Sequence, residues 1–189
     1  FNVSEVDRAS RFNHRSGVIW MTGLSGSGKS TIAKEIERKL FLKGFNVFIL
    51  DGDNLRMGLN KGLSFSPEDR TENIRRTAEV AKLFTDAGFI VIVSLISPYR
   101  SERKKARDIR PEYFREIYIK ASLDECIKRD VKGLYAKAIR SEIKDFTGIS
   151  SPYEEPTKPD LTINTENETI EKSVSILLSY IIDEFSIKK

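Results

Sequence analysis

Eight residues constrain this chain more than any others. Gly23 to Ser30, GLSGSGKS, lie between an apolar run at 18–21 (VIWM) and a segment with Ile32, Ala33, Ile36 and Leu40 on one helical face. The octet satisfies G-x-x-x-x-G-K-[ST], a loop that needs a strand before it and a helix after it. Its glycines let successive backbone N–H groups turn inward and let phosphate oxygens approach. The helix N-terminus adds the positive end of its dipole. Lys29 is placed to reach the outer phosphates of a nucleoside triphosphate, and the Ser30 hydroxyl to ligate Mg²⁺. The bland alternative is a glycine-rich turn with a chance lysine. The flanking strand and helix favour the phosphate loop, which says nothing about the reaction that follows.

The rest of the chain repeats the same alternation. Short apolar runs at 47–50, 89–93, 114–119 and 161–163 read as buried strands. Near-continuous apolar runs of this length suit a parallel sheet covered on both faces. Ser66 and Pro67 mark a helix start, followed by Ile74, Ala78, Ala81 and Phe84, with Gly88 as its stop. Ser122–Glu125 and Thr165–Glu168 both fit a capping box. The second predicts a final helix burying Ile170, Val174, Leu177, Leu178, Ile181 and Phe185. The expected architecture is α/β, a three-layer sandwich around a five-stranded parallel sheet. Residues 1–16 read as a polar N-terminal arm and 17–189 as the domain. Residues 131–159, with two glycines and three prolines, read as a mobile lid.

Composition narrows the class. The 189 residues are 39% hydrophobic and 32% charged, too apolar for a disordered chain and too charged for one that spans a bilayer. A net charge of +4 favours small anions without implying nucleic acid. One cysteine, Cys126, excludes an internal disulfide and fits a reducing cytoplasm, with no membrane partner expected. The segment 1–16 lacks the pattern of a signal peptide.

A second chemical centre lies at the end of the second strand. Asp51 and Asp53, in DGDN, stand where a parallel sheet presents its ligand crevice. Such acids can serve Mg²⁺ or act as base toward an attacking hydroxyl. A strand-ending Asx turn is the plainer reading. Arg70, Asn73 and either Arg76 or Thr77 share one helical face, whereas Arg75 reads as a solvated residue.

Taken together, GLSGSGKSTIA, DGDNLRMGLN, DRTENIRR, ISPYR, KGLYAKA and FTGISSPYEEP closely resemble the adenylylsulfate kinases, in order from Thr22 to about Pro159. The resemblance implies a P-loop kinase that phosphorylates the 3′-hydroxyl of adenosine 5′-phosphosulfate (APS) with ATP and Mg²⁺, giving PAPS and ADP. It implies ATP binding by Gly23, Leu24, Ser25, Gly26, Ser27, Gly28, Lys29, Ser30, Thr31 and Arg129, with Ser30 and Asp51 toward the metal. It assigns Asp53, Arg56, Phe65, Arg70, Asn73, Ile96, Ser97, Lys132 and Phe146 to the acceptor, the two phenylalanines clamping its adenine. Catalysis falls to Lys29, Asp51, Asp53 and Ser97. The resemblance makes Ser97 a phosphoserine intermediate, yet no histidine is near it in sequence, since His14 is the only one. Direct in-line transfer needs less machinery, and Ser97 could instead cap the next helix. A basic lid of Arg129, Lys132 and Lys137 would exclude water. A homodimer is implied, and an ATP sulfurylase domain or partner is left open.

The sequence departs from the family pattern at Met57, Gly62, Ser64, Leu95, Ala136 and Ile139. These changes fall on lid and pocket wall. They keep two alternatives in view: a kinase of the same build acting on another modified nucleotide, and a nucleotide-binding regulatory module without turnover.

Overall fold

The computed structural model describes residues 2–187. Its centre is a five-stranded sheet: β1 (Gly17–Thr22), β2 (Val47–Asp51), β3 (Ile90–Ser94), β4 (Phe114–Lys120) and β5 (Leu161–Asn164). The spatial order is β2-β3-β1-β4-β5 and every pairing is parallel. The strand that feeds the phosphate loop is therefore central, flanked by β3 and β4. All five expected strands are present.

Alternation along β1 divides the core in two. Ile19 and Met21 face α2 (Lys29–Leu42) and α8 (Ile170–Phe185), where they meet Ile32, Ile36, Leu40, Leu177 and Ile181. Val18 and Trp20 face the other way, against α4 (Pro67–Asp86), with Ile74, Ala78 and Ala81, and α5 (Arg100–Ile109), with Ala106. The central strands β1 and β3 are thus buried on both faces, as their near-continuous apolar sequences suit. The short helices α3 (Gly52–Met57), α6 (Leu123–Arg129) and α7 (Leu134–Ile139) gather at the strands' C-terminal edge. A third apolar cluster there joins Leu24, Cys126, Tyr135, Ala138 and Phe146. Cys126 is the buried small side chain its helix position suggests.

Caps set the helix boundaries. Ser66 accepts from the Asp69 amide at 3.2 Å, with Pro67 opening α4. Ser122 accepts from the Glu125 amide, but the carboxylate that returns to the Ser122 N–H belongs to Glu166, at 3.0 Å. Two expectations are corrected. The last helix is capped by Thr169 rather than Thr165, so Ile170 opens it at the surface, 52% exposed. Thr165 instead turns its hydroxyl to the Ser27 carbonyl at 2.8 Å.

The polar N-terminal arm carries regular structure. It forms α1 (Glu5–Phe12), with a complete Ser4–Asp7 capping box. His14, only 2% exposed, follows it. Its Nε2 accepts from the Asn46 amide at 3.0 Å, and its Nδ1 lies 2.9 Å from the Arg15 carbonyl. The neutral ring with hydrogen on Nδ1 satisfies both contacts. Burial lowers the pKa of His14.

Candidate active site

The phosphate loop is built from behind. Gly23 has no room for a side chain, because a Cβ there would stand 2.4 Å from the Ile119 carbonyl oxygen. Gly28, at φ +100°, turns the chain into α2 in the left-handed region that favours glycine. The loop's carbonyls are tied outward: Tyr135 donates its hydroxyl to Ser25 O at 2.9 Å, Thr165 to Ser27 O, and Arg129 to Gly26 O at 3.4 Å. Carbonyls anchored on the outside leave the N–H groups for an anion on the inside.

Lys29 is buried and folded back on this loop. Its ammonium donates to Gly23 O at 2.9 Å, Leu24 O at 2.8 Å and Ser27 Oγ at 3.4 Å. Burial pulls its pKa down to about 8. Across the loop mouth, Ser30 Oγ donates to Asp51 Oδ2 at 3.0 Å, while Asp51 Oδ1 accepts from the Asp53 amide at 3.1 Å. The β2–β3 register sets Asp51 beside Ser94. Ser30 and Asp51 are hard oxygen donors, and with a triphosphate they suit a magnesium ion. Among the described residues no group of three or more His, Cys, Asp or Glu side chains forms a cage. An ion held by one or two protein oxygens completes its shell with phosphates and water.

These residues open into a cavity of about 500 Å³ at the C-terminal edge of the sheet. From the phosphate loop, Ser25, Gly26, Gly28, Lys29, Ser30 and Thr31 line it. Asp51, Asp53, Ile96, Ser97, Lys132 and Phe146 line it from other elements, as do Arg56, Phe65, Arg70 and Asn73. Gly23, Leu24, Ser27 and Arg129 do not reach the wall. The first three form the back of the loop. Arg129 is bonded to Glu125, Gly26 O and Thr165.

The arginines are arranged around Phe65. The Arg56 guanidinium lies 4.2 Å from the Phe65 ring centroid and Arg70 5.7 Å away. Arg56 donates to Leu63 O and Ser64 O. Arg70 donates to Phe65 O at 2.8 Å, Thr147 Oγ1 at 3.1 Å and Asp145 O at 2.5 Å. Arg70 therefore staples the Phe65 loop to the 145–147 segment, setting the spacing between Phe65 and Phe146. Phe65 is 53% exposed, whereas Phe146 is buried edge-on to Tyr135 at 5.0 Å. Burial lowers the pKa of both arginines, and their proximity adds to the effect on Arg56.

Ser97 is nearly buried and sits at φ +45°. Its Oγ accepts the Trp20 indole N–H at 3.0 Å. Its carbonyl accepts Arg103 Nη1 at 2.6 Å. Arg103, 2% exposed, also donates to Glu116 at 2.6 Å and Glu154 O at 2.7 Å. Ser97 does not cap α5, whose N-cap is Tyr99 without a side-chain bond. Lys132 reaches across the opening to pair with Asp53. Sequence reasoning missed Ser94, Tyr135, Asp145 and Thr147 on the wall. KGLY and FTG carried Tyr135 and Thr147 in plain view, but nothing local marked their direction. Of the departing residues only Leu95 lines the cavity, while Met57, Ala136 and Ile139 are exposed.

A phosphate loop on the central strand of a parallel sheet, facing paired acids across one cavity, defines a P-loop kinase. Comparison with known proteins narrows the class. The adenylylsulphate kinase family profile matches residues 15–164, and the chain belongs to that family. It is 55% identical to an adenylyl-sulfate kinase of Prochlorococcus marinus over 187 residues, 97% of this chain and 93% of that one. With its counterpart in Oceanobacillus iheyensis it shares 52% over 184 residues, 97% and 92% of the two chains. The structure superposes on the Mycobacterium tuberculosis APS kinase bound to AMPPNP and APS with a TM-score of 0.84 and 46% identity, covering 87% and 96% of the chains.

Proposed function

We propose that the cavity holds ATP and APS together, and that the enzyme transfers the γ-phosphoryl group to the 3′-hydroxyl of APS, giving PAPS and ADP. One observation carries the reading: a single cavity is lined both by the phosphate loop and by Asp53, Arg56, Arg70 and Asn73.

The roles follow from position. The loop amides and Lys29 bind the triphosphate and stabilise charge on the transferring group. Ser30 and Asp51 would hold magnesium, which would supply positive charge to offset that of the phosphates. Asp53 orients the acceptor hydroxyl and takes its proton. Arg56, Arg70 and Asn73 receive the phosphosulfate, whose several oxygens suit forked donors. Phe65 and Phe146 embrace the adenine. Transfer is direct. Ser97 Oγ accepts from an indole N–H, and among the described residues no basic side chain bonds to it to raise its nucleophilicity. Residues 131–159 act as the lid of a domain spanning 17–189, with Lys132 leaving Asp53 as substrates enter. No helix of the described residues is long and apolar enough to cross a membrane. The enzyme works in the cytoplasm as a homodimer.

Mass spectrometry of products from ATP, Mg²⁺ and APS tests the reaction. Equimolar ADP and PAPS are expected. ADP without PAPS, or faster phosphorylation of another nucleotide, would refute it.

A further inference from the structure

We propose that Tyr135 is a positioning residue that serves both substrates at once. Its hydroxyl aims the Gly26 amide at the donor's phosphates, and its ring steadies Phe146 against the acceptor's adenine; the inference rests on the two sites proposed above. Tyr135 stands in α7, 1% exposed. Its O–H donates to Ser25 O at 2.9 Å, and among the described residues that is the only bond on this carbonyl. The Ser25 C=O and the Gly26 N–H belong to one trans peptide, in which they point in opposite directions. Holding the oxygen therefore sets the heading of the N–H. Without a Cβ on Gly26 this peptide plane turns at little steric cost, so an outside anchor decides its direction. The Gly26 N–H has no protein partner among the described residues, and Gly26 lines the cavity. A free backbone donor in such a loop is the group an anion takes up.

Tyr135 is itself held in place. The Asp130 carboxylate accepts from the Tyr135 and Ala136 N–H groups, each at 3.0 Å, which fixes the first turn of α7. The Tyr135 ring meets Phe146 edge-on, with centroids 5.0 Å apart and the planes at 78°. It is the only aromatic partner of Phe146 among the described residues. Burial raises the pKa of the Tyr135 hydroxyl, so it remains a donor. One rigid side chain thus joins the loop that receives the donor to the ring assigned to the acceptor. Its hydroxyl and its ring do separate work, which substitution can pull apart.

Two measurements on the full chain test these roles: calorimetric binding of a non-hydrolysable ATP analogue with Mg²⁺, and the KM for APS at saturating ATP. Tyr135→Phe keeps the ring and removes the hydroxyl. The analogue's Kd should rise about tenfold, with the APS KM within about twofold of wild type. Tyr135→Leu also removes the ring. The APS KM should then rise severalfold above that of Tyr135→Phe, with the analogue's Kd close to the value in that variant. An unchanged Kd in Tyr135→Phe, a parallel rise of both constants there, or an equal APS KM in the two variants would overturn the proposal. Should Tyr135→Leu not fold, Tyr135→Met makes the same comparison. Failure of both to fold, or of Tyr135→Phe, would overturn the proposal in favour of a purely structural role. A wild-type enzyme that does not turn over APS would instead refute the proposed function, while the analogue's Kd still reads the role of the hydroxyl.

Discussion

Lys29 makes a prediction that can be worked through in numbers. In the free protein burial holds its pKa at about 8. A triphosphate laid against the ammonium returns it to the ordinary lysine range near about 10.4. Between these values, ATP binding must take up a proton. The deprotonated fraction of the free enzyme is about 0.1 at pH 7, about one half at pH 8 and about 0.9 at pH 9. The ATP dissociation constant should therefore be flat below pH 7, about double by pH 8 and about tenfold weaker by pH 9. Calorimetric titration at pH 8.5, in two buffers of different ionisation enthalpy, measures the proton directly. Uptake of about three-quarters of a proton per ATP is expected, and Lys29→Met should abolish it. Uptake near zero in the wild-type protein would refute the placement of Lys29 against the phosphates. The same shift carries a sign for folding. Between pH 8 and about 10.4 the folded state binds fewer protons than the unfolded chain, so the free enzyme gains stability as pH rises through this window. Burying the charged amine costs about 3 kcal/mol below it.

Three further outcomes are expected. Ser97→Ala should keep kcat within about tenfold of wild type in a PAPS assay, whereas a collapse accompanied by loss of a phosphoserine peptide would establish the covalent route. Arg103→Met removes the buried bonds to Glu116, Ser97 O and Glu154 O, and urea denaturation should show a loss of about 3–5 kcal/mol; a loss under about 1 would contradict the role given to that side chain. His14 is buried neutral with a lowered pKa, so stability is retained above about pH 6.5 and falls as the pH drops below it. Melting temperatures from pH 7.5 to 5 should show this dependence, weakened in His14→Gln; equal slopes in the two proteins would refute it.

The sheet was legible because the strands are rich in apolar and β-branched residues bounded by turn residues, with β4 interrupted only at Arg115 and Glu116, and β1 ends in a loop that dictates its own surroundings. The site was legible where chemistry sits in a motif, as with Lys29, Asp51, Asp53 and Asn73. What escaped depended on partners distant in sequence. Thr165 looked like a cap, but its hydroxyl serves Ser27, 138 residues away. Glu166 completes the Ser122 cap that Glu125 was expected to close. Arg129 was read as reaching for nucleotide, and its bonds to Gly26 O and Thr165 O were not visible in the sequence. Arg70 was assigned to the acceptor, and it also binds the backbone on both sides of the clamp. The arm looked merely polar because the anchor of its far end is one histidine, held between Asn46 and Arg15. Periodicity reports which face is apolar; it does not report which donor a long side chain will find across the fold.

The central claim is that donor and acceptor share one cavity with their reacting atoms aligned. A crystal structure with a non-hydrolysable ATP analogue, Mg²⁺ and APS measures it directly. The account predicts the analogue's phosphates within the 23–30 loop, the phosphosulfate against Arg56, Arg70 and Asn73, and the 3′-hydroxyl beside Asp53, in line with the terminal phosphorus. APS bound outside this cavity, or with its 3′-hydroxyl turned away from that phosphorus, would contradict it.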